Sequence, residues 1–121
     1  MSGVYNQTYF DNNPDEKEVE GILYCVVLVN RKTFQRECLK IGIAKGRNFK
    51  DVVKRSRGFK GYDIRIQKTY ADTLYNVWKL EQFLHEHFSE FKFQPSEKFG
   101  GHTECFHLKN EIIQAIPSKK I

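Results

Sequence analysis

The sequence predicts a small domain of the α/β class, of the α+β type, on three observations. Residues 22–29 and 38–44 are apolar runs separated by a polar break, as in a β-hairpin. Residues 62–70 alternate apolar and polar side chains, which is typical of a half-buried strand near a sheet edge. Residues 73–91 repeat apolar side chains at helical spacing. Since 121 residues have room for one modest core, we expect a single domain over residues 21–117.

The hairpin places two polar groups next to each other. Its first strand is apolar on both faces, so we expect it to be covered on both sides. Its second strand has one face of small side chains and a lysine, Lys40, with Gly42 leaving open space beside it. The phenol of Tyr24 and the ammonium of Lys40 could meet there. The alternative is an ordinary hairpin with a core tyrosine and a lysine that extends its ammonium to water.

Shorter elements complete the predicted fold. Asp72 is the expected N-cap of the long helix. The other elements are a helix over residues 48–58 capped by Asn48, a strand over residues 103–108 and a helix over residues 111–116 capped by Asn110. Residues 1–20 carry acids and an Asn-Asn-Pro run without periodicity, so they predict a mobile acidic arm, and residues 118–121 form a basic tail.

The composition excludes several classes of protein. No apolar run approaches the roughly 20 residues of a membrane helix, and the N-terminus lacks a signal-peptide pattern. We therefore expect a cytoplasmic protein without membrane association. Three widely spaced cysteines argue against a disulfide framework, and residues 102–107 lack the paired C-x-x-C of a zinc site.

Charge is concentrated in one stretch. Residues 31–68 hold thirteen Lys or Arg against three acids, whereas residues 11–20 hold five acids and one lysine. Such a basic block predicts a face that binds a polyanion, most simply nucleic acid. The alternative is a solvated basic surface without a partner. The candidate nucleic-acid-binding residues are Lys45, Arg47, Lys50, Lys54, Arg57 and Lys60.

Glu81 falls in the middle of the apolar stripe of the long helix. Five apolar side chains lie within roughly 60° of it, at about 100° per residue; they are Leu74, Val77, Trp78, Leu84 and Phe88. A buried charge costs several kcal/mol unless it is paired or metal-bound. Either Glu81 pairs with Lys40 or an arginine, or, as we favour, it is a metal ligand or catalytic carboxylate. His85, one turn on, either orients Glu81 or contacts phosphate, or is a boundary histidine.

These pieces resemble the GIY-YIG nucleases, in order and in placement. The matching residues are Tyr24 on the first strand, Lys40-Ile41-Gly42 on the second, Arg55 or Arg57 after it, and Glu81. The phage-type branch with lysine in place of the second tyrosine is most similar. It also tends to show a Leu-Glu-x-x-Leu-His helix and a late Thr-Glu-x-Phe, which are residues 80–85 and 103–106 here. The first motif departs from the family in reading Ile-Leu-Tyr, and the arginine follows the glycine at a greater distance.

The resemblance implies a central antiparallel sheet of three strands flanked by helices. It also implies metal-dependent hydrolysis of phosphodiesters, with double-stranded DNA as the first candidate substrate. Glu81 would hold Mg²⁺ (or Mn²⁺). Tyr24 would activate water as a phenolate, with Lys40 or a metal-bound water lowering its pKa. Arg55, or Arg57 in its place, would neutralise the phosphate. His85 joins this catalytic set.

The resemblance also bears on partners and leaves two rival classes open. At this size, sequence selectivity would need a homodimer or a partner protein, and a phage origin would place the protein in the host cytoplasm. One rival is a degenerate fold that binds nucleic acid without cutting it. The other is a protein-interaction module whose acidic arm, residues 11–20, docks a partner or mimics DNA.

Overall fold

The computed structural model describes residues 5–46, 50, 59–97 and 104–117. It is an α+β domain, as the sequence predicts. Its elements are α1 (Gln7–Asn12), β1 (Glu20–Asn30), β2 (Arg36–Lys45), β3 (Tyr62–Thr73), α2 (Leu74–His87), β4 (Cys105–Phe106) and α3 (Asn110–Ala115), with 3-10 turns at Pro14–Lys17 and Ser89–Phe91. Apart from Lys50, the helix predicted over residues 48–58 lies outside the described residues. No helix in the described ranges is long and apolar enough to cross a membrane.

The sheet is antiparallel with strand order β3-β1-β2-β4. The three long strands are present and β3 lies at an edge, as expected. The strand predicted over residues 103–108 is present as β4, so the sheet has four strands and not the three that the resemblance implies. β4 pairs with β2 only through Leu39↔Phe106 and Lys40↔Cys105. Because β2 extends to Lys45, its residues after Lys40 have no partner in β4 as described. The candidate site lies beside this part of β2.

The two faces of the sheet carry separate apolar clusters. β1 is buried on both faces, as its apolar run predicts. The face under α2 includes Leu23, Cys25, Val27, Leu39, Ile41, Leu74, Val77 and Leu84. The opposite face includes Tyr24, Val26, Leu28, Cys38, Phe59, Tyr62 and Cys105. Side chains that alternate along β1 and β2 therefore belong to different cores.

The N-terminal segment corrects the prediction of a mobile arm, because residues 7–17 form α1 and a 3-10 turn. Phe10 is fully buried, with its ring 5.1 Å from that of Tyr75 and 5.4 Å from that of Trp78. Asn6 caps α1 by accepting a hydrogen bond from the Tyr9 amide at 2.7 Å. The charged residues of this segment suggested disorder, but Phe10 packs against the domain, and its burial offsets the entropy lost on ordering the chain.

The helix boundaries also differ from the predicted ones. β3 continues to Thr73, which pairs with Glu20, so the N-cap of α2 is Thr73 and not Asp72. Asp72 instead accepts a hydrogen bond from the Thr73 amide at 2.7 Å. At the other end of the chain, α3 starts at Asn110 itself, and its N-cap, Lys109, makes no side-chain cap bond.

Candidate active site

Three side chains with metal-ligand atoms converge at the edge of the sheet. Glu81 and His85 lie one turn apart on α2, and Glu104 comes directly before β4. One ligand atom from each lies within 4.8 Å of the other two. Glu81 is fully buried, as its position in the apolar stripe predicts. The cluster therefore brings two carboxylates and an imidazole together in a nearly dry setting.

His85 is oriented by the main chain of β2. Its Nε2 lies 3.1 Å from the carbonyl oxygen of Ile41. Since a carbonyl only accepts, Nε2 carries the proton and Nδ1 keeps its lone pair. The pKa of His85 is lowered below its ordinary value, because the effect of burial is larger than the opposing effects of the Ile41 carbonyl and Glu104. A neutral imidazole that donates its other N–H to a carbonyl has the form in which histidines bind metals.

Glu104 is the site residue that the sequence-based assignment missed. Only 3% of its surface is exposed. Its Oε1 accepts a hydrogen bond from Lys40 Nζ at 2.9 Å, whereas its Oε2, also buried, has no hydrogen-bond partner within the described part of the chain. A signal existed, because Glu104 lies in the late Thr-Glu-Cys-Phe motif noted above, but the motif alone assigned it no role.

Lys40 links Glu104 to the opposite face of the sheet. Its ammonium is fully buried and lies 5.7 Å from the ring centre of Tyr24 and 5.1 Å from that of Phe59. Burial disfavours the charged form, but the attraction of Tyr24 and Glu104 outweighs it, so the pKa of Lys40 is raised. Among the described residues the ion-pair partner of Lys40 is Glu104 and not Glu81. The other alternative, a pair of Glu81 with an arginine, stays open, because Arg55 and Arg57 lie outside the described residues.

The phenol of Tyr24 and the ammonium of Lys40 meet over Gly42, as the hairpin pattern suggests. Tyr24 is the β1 partner of Gly42. A Cβ placed on Gly42 would lie 2.6 Å from Tyr24 Cζ and 3.2 Å from Lys40 Nζ. Only glycine fits at this position, since any larger residue would displace both groups. Tyr24 itself is 1% exposed.

The catalytic residues predicted from the sequence do not share one face. Tyr24 and Lys40 belong to the face opposite α2, which carries Glu81 and His85. The sheet therefore lies between Tyr24 and the α2 side chains Glu81 and His85. Glu104 joins the two groups at the edge of β2, because it pairs with Lys40 and also reaches the ligand atoms of α2.

The predicted nucleic-acid-binding residues are only partly within the described chain. Lys45, Lys50 and Lys60 are exposed. Lys45 donates a hydrogen bond to Glu16 at 3.0 Å, so the N-terminal segment partly neutralises this end of the basic block. The remaining predicted residues, Arg47, Lys54, Arg55 and Arg57, lie outside the described residues.

Comparison with known proteins identifies the family. The model of the T5orf172 domain, a domain found in phage-type and homing-endonuclease-like proteins, matches residues 21–119. The chain therefore belongs to the T5orf172 family. No curated protein and no solved structure matches it. Membership of this family suggests a nuclease or DNA-binding role.

Proposed function

We propose that this T5orf172-domain protein is a metal-dependent endonuclease that hydrolyses phosphodiester bonds in DNA. The observation that carries the proposal is the buried cluster of Glu81, His85 and Glu104, connected through Lys40 to Tyr24. Two buried carboxylates so close together repel each other, and a divalent cation bound between them would remove that repulsion. The proposal extends the GIY-YIG resemblance by adding His85 and Glu104 to the metal-binding set.

The cluster fits a divalent cation. Two ligands of one octahedral Mg²⁺ lie about 3.0 Å apart when cis and about 4.2 Å apart when trans, so ligand atoms within 4.8 Å of one another need to close by at most about 1.8 Å. The Oε2 of Glu104, which has no hydrogen-bond partner among the described residues, could bind a cation directly. The carboxylates suit Mg²⁺ or Mn²⁺, and the imidazole nitrogen moves the preference toward Mn²⁺. Such a cation would stabilise the charge that develops on the phosphate and the leaving oxygen.

Tyr24 and Lys40 act on the nucleophile in this proposal. Lys40 stabilises the phenolate of Tyr24 by its charge, and the phenolate accepts a proton from the attacking water. Tyr24 and Lys40 are both buried and fill the space over Gly42, so the proposal requires the side chains that cover them to move before a phosphate can reach them.

Incubation of plasmid DNA with the protein tests the proposal. We expect nicking with Mg²⁺, faster nicking with Mn²⁺ and none with EDTA. Tyr24→Phe removes the proposed base and should lower the rate at least about 100-fold. Tyr62→Phe is the matched control, because it deletes another buried hydroxyl that contacts Glu37 and Ser96, away from the cluster. Equal loss in both variants, or cleavage in EDTA, would contradict the proposal.

The arginine of the motif is tested by comparing two variants. The order of the family's motifs favours Arg55, and Arg57 is the alternative. We expect Arg55→Ala to lose turnover at saturating DNA while Arg57→Ala weakens only binding. If only Arg57→Ala loses turnover, the two roles are exchanged.

The basic block over residues 31–68 is proposed to follow the DNA backbone. Each phosphate contact releases counterions, so affinity should fall steeply with salt. Affinity that stays level from low to physiological salt would count against a nucleic-acid substrate. A protein that binds DNA with this salt dependence but does not cut with either metal would be the non-cutting module.

A further inference from the structure

Phe34, at the tip of the β1–β2 hairpin, is held in an unfavourable conformation and exposed. Its φ is 61°, and it is the only non-glycine residue with positive φ in the described ranges. Its exposed fraction is 82%. A bulky L-residue rarely adopts the left-handed backbone conformation, and an exposed aromatic ring does not contribute to the core. Neither property helps the chain to fold, so both point toward a role for this side chain.

The loop imposes this conformation through a set of hydrogen bonds. The buried Asn30 accepts from the amides of Lys32 at 2.8 Å and Thr33 at 3.2 Å through its side chain. Its carbonyl accepts from the Phe34 amide at 2.7 Å. Asn30 in turn donates to Glu37 at 3.0 Å. These hydrogen bonds fix the backbone that carries Phe34, which reduces the entropy lost when its ring binds.

The surroundings of Phe34 carry exposed cations, two of them in ion pairs. Arg31 and Lys32 lie on the same loop and Arg36 is the first residue of β2. Arg31 pairs with Asp63 at 3.0 Å and Lys32 with Glu97 at 3.5 Å, and exposed pairs of this kind are weak enough for a phosphate to replace the carboxylate. The Arg31 amide donates to the Gly61 carbonyl at 2.9 Å, which places the exposed Lys60 next to the loop. The other large exposed apolar side chains of the described chain, Phe83 and Leu108, lie on α2 and before α3. A single ring among cations matches a stacking contact with a base next to phosphates better than an apolar protein interface.

We propose that Phe34 stacks on a nucleobase of the bound nucleic acid, as an anchor separate from the metal cluster. The inference rests on the proposed function only in taking nucleic acid as the ligand. Phe34 precedes Lys40 by six residues, at most about 20 Å along an extended strand, which corresponds to about six nucleotides. One strand of nucleic acid can thus contact both the loop and the site.

The test measures binding in EDTA, so that no cleavage intervenes. The probes are a short single-stranded DNA and the matching duplex, each containing 2-aminopurine, whose fluorescence reports stacking. We expect Phe34→Ala to weaken affinity for at least one probe by about 5- to 150-fold and to abolish the fluorescence change. Phe34→Trp should retain both. The probe that shows the effect tells whether the ring stacks on an unpaired base or enters a duplex.

Matched variants distinguish stacking from a merely apolar contact and from unfolding. Phe83→Ala removes another exposed ring, on α2, and should leave affinity unchanged. Phe34→Leu keeps apolar bulk without a π-face and should resemble Phe34→Ala; wild-type affinity in Phe34→Leu would overturn stacking. Phe34→Gly should melt no lower than the wild type, because glycine accepts a positive φ, and should still bind weakly. This variant shows that lost binding does not come from unfolding.

The failures of the two proposals are distinguishable. If the wild-type protein binds and cuts DNA and Phe34→Ala equals it in affinity, the stacking contact is refuted and the nuclease stands. If the wild-type protein binds neither probe, stacking and nucleic-acid binding both fall. A protein that binds both probes through Phe34 yet never cuts would retain the stacking contact and refute the nuclease.

Discussion

Two carboxylates, one on β2 and one directly before β4, differ in how fully their oxygens are paired. Glu37 accepts hydrogen bonds from Asn30 at 3.0 Å, from the Tyr62 hydroxyl at 2.6 Å, and from the amide and hydroxyl of Ser96 at 2.6 and 2.9 Å. Glu104 is more buried, yet within the described chain it accepts one hydrogen bond, from Lys40. The half-buried carboxylate has four donors and the buried one has one.

The difference indicates what each carboxylate does. Glu37 accepts hydrogen bonds from neutral donors on three segments: Asn30 at the end of β1, Tyr62 on β3 and Ser96 after the second 3-10 turn. It therefore holds these segments together and has little capacity left for a ligand. Glu104 is buried, one of its oxygens accepts no hydrogen bond within the described chain, and a second carboxylate and an imidazole lie close by. A buried oxygen without a partner is unfavourable, so binding a cation there would be favourable. In the proposed function, Glu104 therefore binds the cation, whereas Glu37 only holds neighbouring segments together.

The largest expected effect is on cleavage in Glu81→Gln. The variant keeps the shape of the side chain but removes a proposed metal ligand. The cleavage rate should fall more than about 100-fold, because losing a ligand costs more than losing a residue that only hydrogen-bonds a ligand. Stability should change little or rise, since a buried charge is gone. Plasmid nicking with Mn²⁺ and a thermal melt measure both. A variant that melts far lower yet still cuts when folded would end the metal-ligand interpretation.

A second prediction concerns Lys40→Met, which leaves Glu104 without its cation. Breaking a buried pair at one partner should lower the free energy of unfolding by about 3–5 kcal/mol in EDTA. If Glu104 binds a cation, Mn²⁺ should raise the melting temperature of Lys40→Met more than that of the wild type, because it replaces the lost positive charge. Urea titrations and melts with and without Mn²⁺ measure this. Equal shifts in the two proteins would separate Glu104 from the metal site.

The same kind of substitution at Glu37 should affect stability and spare the chemistry. Glu37→Gln turns one acceptor oxygen into a donor that faces other donors, so we expect a loss of about 2 kcal/mol in the free energy of unfolding. Cleavage at a temperature where the variant is folded should stay within a few-fold of wild type. Urea unfolding and the plasmid assay together measure this. A loss of cleavage equal to that of Glu81→Gln would remove the distinction between the two carboxylates.

The smallest effect is the pH dependence of the Glu37 network. Burial alone would raise the pKa of Glu37, but hydrogen bonds from Ser96, Tyr62 and Asn30 outweigh it and lower the pKa below its ordinary 4.5. A lowered folded-state pKa gives stability that is present above pH 4.5 and is lost as pH falls through the folded value. The stability difference between wild type and Glu37→Gln should therefore be constant at neutral pH and shrink in acid. A difference that grows below pH 4.5 would reverse the sign.

The sequence by itself determined the local features of this protein. Periodicity located the three long strands and α2, because the side-chain spacing of each element depends on its own backbone. The meeting of Tyr24 and Lys40 over Gly42 followed from a hairpin, in which neighbours in the chain become neighbours in the sheet. Glu81 was recognised because a charge inside an apolar stripe is visible along one helix.

Only the tertiary structure decided the features that join distant parts of the chain. Glu104 reaches Lys40 across 64 positions of sequence, through a β4 pairing of two residues that no periodicity reveals. Phe10 docks on α2 despite its acidic surroundings, and the positive φ of Phe34 is set by Asn30 and the turn it organises. In each case the deciding energy comes from contacts between segments, and a sequence pattern records only the preferences within one segment.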